Sequence, residues 1–181
     1  MLGFSKRTWV ALAVAGAILM FPYQLFFGAF VLVAWAWSTI SMTWENPRFA
    51  SRFFAELLPD APVVASMVNG DGFFAGYGCM YAIVRLGPNA PATPPERREP
   101  PLDWYYVWDR GWHPTPAAPD DRVLSIISNC ADEWPDGLAA ELRAGLLTDG
   151  NYYASDARAW PENLSVYAPT VGLAAYIRYG D

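Results

Sequence analysis

From Thr8 through Trp44 the chain carries no charged side chain, and little can be done in water with such a stretch. Its apolar run, Thr8 to Thr39, exceeds the ~7–15 residues of a signal-peptide core. It falls short of two membrane spans at ~17–25 residues each. One transmembrane helix fits best. Trp9 and Trp35 stand 26 residues apart, about 39 Å along a helix rising 1.5 Å per residue. That approaches the headgroup-to-headgroup thickness of a bilayer, and Trp favours both interfaces. Trp37 and Trp44 thicken the second belt, and Pro22 falls near the middle, where a span tolerates a kink. A cleaved leader is the competing reading, because Ala34-Trp35-Ala36 has the small-x-small form. The second apolar half, Leu25 to Val33, argues against it.

One face of this span holds more than hydrophobicity. Ala13, Ala17, Gln24 and Gly28 follow one another at spacings of four, seven and four. Small residues let helices approach closely, and an amide in hydrocarbon seeks a partner, so the face suits another membrane helix. The plainer reading is that Ala and Gly are common in spans, with Gln24 bonded to a carbonyl freed by Pro22.

All eighteen acids lie at or after Glu45, with ten of the twelve bases, which leaves the region beyond the span at net minus eight. Such a region is a poor nucleic-acid binder, because phosphate contacts need Lys and Arg. It is also expected to be repelled from anionic lipid and not to lie flat on the bilayer. Lys6 and Arg7 precede the span; Arg48 and Arg52 follow it. Acids count for little in the positive-inside rule, so a narrow margin places the amino terminus in the cytoplasm and the domain in the periplasm. Lys6 is the sole lysine, a bias typical of a GC-rich bacterial genome, hence the expectation of a bacterial inner membrane.

The expected organisation is an anchor over 1–40, a juxtamembrane helix and linker over 41–62, and a domain over 63–181 with a Pro-rich loop at 87–101. Phe49, Phe53, Phe54, Leu57 and Leu58 recur at helical spacing before Pro59-Asp60-Ala61-Pro62. Val63–Val68 and the apolar run ending at Leu86 read as two strands around a Gly-rich connection, with Gly76 and Gly78 marking a bulge or close approach. The six prolines between Gly87 and Pro101 predict an exposed, semi-rigid loop, with a protein-binding segment as the alternative. Trp104 to Trp108 alternates as a strand. Asp120 or Asp121 can cap a helix bearing Val123, Leu124, Ile127 and Cys130; Asp136 can cap a second with Leu138, Leu142 and Leu146. Thr148-Asp149-Gly150-Asn151 ends it. A short strand around Tyr152 and a last one over Val171–Tyr179 follow, with Pro169 setting an edge or a bend. Gly78–Gly87 and Gly172–Gly180 read alike, as two neighbouring strands would. The fold class is α+β: a single N-terminal transmembrane helix, then a small antiparallel sheet with two short helices.

Chemistry-bearing residues are few. His113, the only histidine, sits in a Trp-His-Pro stretch that predicts a turn; no nucleophile elbow accompanies it, and one His with two distant Cys is no zinc set. Asp120-Asp121 and Asp132-Glu133 with Asp136 can pair as glycosidase carboxylates, but fall where helix N-termini favour negative charge. Asp71 between glycines lacks the other oxygens of a calcium loop, and Gly70-x-Gly72-x-x-x-Gly76 has the wrong spacing for a dinucleotide fingerprint. Trp104, Tyr106, Trp108 and Trp112 can form a sugar-stacking or protein-binding platform, though aromatics this dense more often form core. Asn163-Leu164-Ser165 matches the glycosylation triplet, a frequent chance match. Cys79 and Cys130, the only cysteines, suit either one disulfide in an oxidising compartment or two buried thiols. No metal ligand set or cofactor motif emerges.

The leading functional expectation is a non-catalytic, single-pass accessory protein whose partners are the bilayer and other membrane-protein subunits. The alternatives are a membrane-anchored envelope enzyme or glycan-binding module using the tryptophans near Trp108, and an immunity or exclusion protein.

Overall fold

The computed structural model describes residues 6–68, 78–96, 108, 111–118, 122–155 and 162–180; side chains are described from residue 22 onward, except at 38, 41 and 42. The chain divides into two compact units, Met1–Ile40 and Ser41–Asp181. The backbone is helical from Lys6 to Phe53 (α1), so the anchor and the juxtamembrane helix expected as separate pieces belong to one element. Among the described residues no helix is long and apolar enough to cross a membrane; the first half of the expected span, residues 8–21, has its side chains outside that set.

The second unit is α+β. Its antiparallel sheet has six strands: β1 (Val63–Met67), β2 (Cys79–Arg85), β3 (His113–Pro114), β4 (Tyr152–Ser155), β5 (Glu162–Ala168) and β6 (Leu173–Tyr179). They lie in the order β1-β2-β6-β5-β4-β3. Two helices, α2 (Val123–Cys130) and α3 (Leu138–Leu147), are joined through a 3-10 turn at Ala131–Glu133. The two look-alike segments are indeed adjacent: β2 pairs antiparallel with β6, Met80 opposite Arg178 and Arg85 opposite Leu173.

Side chains alternate across a strand, so a sheet has two faces to cover. One face sends Tyr81, Ile83, Leu164, Val166, Ala175 and Ile177 toward Ile126, Ile127, Leu138, Leu142 and Leu146 of α2 and α3. The other sends Ala82, Val84, Tyr167, Ala174 and Tyr176 into a cluster with Phe49, Ala50, Phe53, Phe54, Leu57, Leu58 and Trp108. The end of α1 and the turn after it therefore belong to the core rather than to a linker. Phe53 stacks on Tyr176 at 4.7 Å and meets Trp108 edge-on at 6.1 Å. At roughly 1.5–3 kcal/mol for each large apolar side chain fully buried, this cover contributes strongly to stability.

A hydroxyl fastens α1 to the edge strand. Ser66 Oγ donates to the Asn46 carbonyl and accepts from the Ala50 N–H at 2.9 Å. Those two groups are the i and i+4 partners that an uninterrupted helix joins to each other. Pro47 lies between them in sequence, but its missing N–H concerns the Thr43 carbonyl one turn earlier rather than these two groups. The Val68 N–H donates to Asn46 Oδ1 at 3.1 Å, so a helix side chain occupies one of the groups that an edge strand exposes.

Several expectations need correction. Asp136 is not the cap of α3: that position belongs to Gly137 at φ 84°, a left-handed conformation suited to glycine, with no side-chain cap. Arg122, likewise without a side-chain cap, precedes α2; Asp120 and Asp121 lie outside the described residues. His113 is in edge strand β3, opposite Tyr153, rather than in a turn. β5 is a central strand that sequence periodicity did not reveal. Pro169 sits at the bend joining β5 to β6, where Gly172 turns the chain at φ 67°. The Pro-rich segment is largely exposed over the described residues 87–96, yet it is tied down. Tyr167 Oη donates to the Pro91 carbonyl at 2.6 Å and Trp108 Nε1 to the Pro95 carbonyl at 3.0 Å. Trp108 belongs to no strand; the remainder of the expected strand, 104–107, lies outside the described residues.

Asn151, 1% exposed, locks the far end of the sheet. Its amide nitrogen donates to the Gly145 carbonyl at 2.9 Å and the Thr148 carbonyl at 3.1 Å, and its Oδ1 accepts from Thr170 Oγ1 at 2.9 Å. Its Oδ1 accepts from the Thr170 N–H at 3.0 Å. Thr115 completes the group: its N–H donates to the Asn151 carbonyl, and its Oγ1 accepts from the Asn151 N–H, both at 3.0 Å. One side chain thus joins the end of α3, the start of β4 and the β5–β6 hairpin. Removing it strands several buried groups at ~1–3 kcal/mol each, partly relieved by water. Asn151→Ala is expected to lower stability by about 2–4 kcal/mol in urea denaturation followed by tryptophan fluorescence. A loss under about 1 kcal/mol would show the network to be dispensable.

Candidate functional site

Apolar exposure is concentrated on α1. Of the fourteen exposed large hydrophobic side chains among the described residues, twelve lie between Tyr23 and Trp44; the others are Val63 and Leu147. The band circles the helix, since Leu25, Phe26, Phe27, Phe30, Val31 and Leu32 are all exposed and successive residues lie about 100° apart. Tyr23 and Phe27 stack one turn apart at 6.5 Å, and a shallow apolar notch of about 400 Å³ opens beside Pro22, Tyr23, Phe26, Phe27 and Phe30. Gln24 and Gly28, half of the expected helix-docking face, are exposed, and a Cβ placed on Gly28 meets nothing within 4 Å. Ala13 and Ala17 fall in α1, but their side chains lie outside the described residues.

The aromatic platform takes another form in the structure. Trp108 is 1% exposed, wedged edge-on against Phe54 at 5.2 Å and Trp112 at 5.0 Å. A ring buried on these neighbours has no face left for a sugar. Its indole N–H is taken by Pro95. Trp112 packs at the margin of the same cluster. Trp104 and Tyr106 lie outside the described residues.

Cys79 at the start of β2 and Cys130 at the end of α2 form a disulfide, with Cα atoms 5.7 Å apart and a separation of 51 positions in sequence. Both are buried, so the bond staples one helix cover to the sheet from inside. Tyr81 lies beside this staple, edge-on to Trp134 at 5.8 Å, and its hydroxyl donates to the Glu133 carbonyl at 3.4 Å. Burial pushes its phenol up to about 12, and the negative charge of Glu133 adds to the shift.

His113 is exposed, with its ring 5.6 Å from that of Tyr153. Asp132, Glu133 and Asp136 are exposed as well, which leaves them without the enclosed cleft that paired-carboxylate catalysis uses. Asp71 and the Gly70–Gly76 stretch lie outside the described residues. Among the described residues no group of three or more His, Cys, Asp or Glu is placed to hold a metal ion. The ion pair between Arg85 and Glu141, 2.7 Å, joins two half-exposed side chains and ties β2 to α3 at the surface.

The chain matches no family model, no characterised protein and no solved structure. Function must therefore be argued from the residues alone.

Two outcomes test this region. A disulfide closing a loop of 51 residues limits the unfolded chain enough to contribute about 4 kcal/mol by loop entropy. Replacing both Cys79 and Cys130 by Ala is expected to lower stability by about 2–4 kcal/mol in the same urea assay. Unchanged stability would contradict the staple. The second outcome concerns pH. The folded state holds the Tyr81 proton more tightly than the unfolded chain, so this contribution is complete below the unfolded value of about 10. It is lost as pH rises through about 12. Tyr81→Phe is expected to flatten the fall in melting temperature across that window; an unaltered alkaline slope would show that Tyr81 does not drive it.

Proposed function

We propose that this protein is a single-pass membrane protein of a bacterial inner membrane, without catalytic activity of its own, which serves as an accessory subunit of a membrane complex. The observation that carries the reading is the concentration of apolar exposure around α1 between Tyr23 and Trp44, where twelve of the fourteen exposed large hydrophobic side chains among the described residues lie. A surface helix that docks on one partner shows an apolar stripe, whereas one that is apolar all round is surrounded by apolar material. Folded monomers in water rarely leave more than a few hundred Å² of contiguous apolar surface bare. Hydrocarbon also requires every backbone group to be satisfied within the segment, which a helix does. In this reading the span draws on Thr8–Thr39, its Trp residues sit at the two interfaces, and Gln24 and Gly28 face a neighbouring helix beside Ala13 and Ala17.

The disulfide favours a periplasmic domain, since cytoplasmic thiols are kept reduced. The positive-inside rule favours the same orientation through Lys6, Arg7 and the amino terminus. An accessory role is favoured over glycan work because Trp108, the tryptophan at the centre of the proposed platform, is spent on the core.

The chain is expected to stay with membranes through carbonate extraction, as a spanning helix does. Recovery of a soluble protein starting near Ser38 would contradict the anchor. Gently solubilised membranes should yield a partner in fixed ratio. Gly28→Leu and Gln24→Leu should reduce its recovery severalfold at equal membrane yield, while Leu19→Ile, at a position on the other side of the helix, leaves it unchanged. Equal recovery from all three would remove the docking face.

A further inference from the structure

The Pro-rich segment is held by donors of one kind. Tyr167 Oη donates to the Pro91 carbonyl at 2.6 Å and Trp108 Nε1 to the Pro95 carbonyl at 3.0 Å. Prolines remove N–H groups from a chain and keep its carbonyls, so such a segment is rich in acceptors and poor in donors. Aromatic side chains with a polar tip complement it, and grooves lined by them are a recurrent way of taking proline-rich peptides. A third donor stands beside these two. Trp112 meets Trp108 edge-on at 5.0 Å, and its buried indole N–H has no acceptor among the described residues. Tyr152, paired across the sheet with Tyr167, packs at the margin of the same cluster. Pro94 and Pro95 are half-buried, whereas Pro88, Pro91, Ala92 and Thr93 are exposed.

We propose that this margin of the second unit is a groove for a proline-rich segment of another protein, and that residues 88–96 occupy it in cis until displaced. The contact lies wholly within the second unit and does not depend on the anchor reading. The cis segment serves two of the three donors. An incoming segment that also offers a carbonyl to the Trp112 indole gains a bond that the cis segment does not make, and pairing a buried donor favours the exchange. A second copy of this chain is a poorer occupant. The Leu86 N–H is bonded to the Gly172 carbonyl at 2.9 Å, five residues before Pro91, and the Ala90 N–H to the Gly87 carbonyl at 3.1 Å. So short a lead keeps each segment at its own sheet. A tethered competitor also lowers the apparent affinity for a free ligand, in proportion to the time it leaves the groove open.

The test uses the full-length chain in detergent micelles and a fluorescein-labelled peptide with the sequence of residues 87–96. Fluorescence polarisation reads binding to the wild type and to a variant whose residues 88–96 are replaced by Gly and Ser. Circular dichroism and an intact disulfide verify that both are folded. The variant is expected to bind at least about tenfold more tightly than the wild type. Tyr167→Phe in the variant background is expected to weaken binding about fivefold. The same peptide with alanine in place of every proline is expected not to bind. No binding to the folded variant, equal binding of the alanine peptide, or binding unchanged by Tyr167→Phe would leave the segment a structural strap and overturn the proposal. A wild-type dimer that dissociates in the variant would make a second copy the occupant and overturn the choice of partner. Should the replacement unfold the unit, Pro94→Gly/Pro95→Gly loosens the segment and keeps its carbonyls. That variant must then bind the peptide more tightly than the wild type, and equal affinity overturns the proposal as well.

Discussion

A sheet whose central strands are apolar on both faces cannot stand with one face in water. β6 and β5 are that kind of strand: Ala174 and Tyr176 alternate with Ala175 and Ile177, and Leu164 and Val166 with Ser165 and Tyr167, all buried. The two helices α2 and α3 cover one face only. The other is covered by the last turns of α1, the turn behind them and Trp108, so residues that sequence spacing suggests are a connector complete the core. Most other features of the second unit follow from this need for two covers.

Each cover is held by a different kind of bond. The helical layer is fixed by the Cys79–Cys130 disulfide and by Gly145. A Cβ at Gly145 would sit 2.9 Å from the Ala168 Cβ, so α3 lies closer to the hairpin than a larger residue allows. The α1 layer is fixed by ring packing and by Ser66, which reaches from edge strand β1 to the helix on either side of Pro47. The Pro-rich segment closes the margin of that layer through the Pro91 and Pro95 carbonyls.

Much of this was legible in the residues. β1, β2, β6, α2 and α3 follow from periodicity and punctuation, and the likeness of Gly78–Gly87 to Gly172–Gly180 corresponds to strands paired side by side. Two kinds of element escaped. β5 opens with Glu162 and Asn163 and alternates Leu164, Val166 and Ala168 with Ser165 and Tyr167; buried on both faces, it lacks the polar alternation that announces a half-exposed strand. β3 is two residues long, one of them Pro114, and no local signal marks so short an edge. Asn151 by itself reads only as a helix ending, because its partners at Thr115 and Thr170 are remote in sequence. The fate of Trp108 was equally non-local: whether an aromatic is platform or core depends on what packs over it, here Phe53, Phe54 and Trp112.

The central claim is that the stretch from Phe49 to Leu58 is part of the folded sheet unit. Amide hydrogen exchange on the full-length chain tests it most directly. If these residues complete the core, the amides of Ala50, Phe54, Leu57 and Leu58 exchange through the same opening as those of Ala174 to Ile177, with similar protection. Exchange of the Phe49–Leu58 amides orders of magnitude faster than β6, with the sheet still protected, would make this stretch a connector and contradict the account.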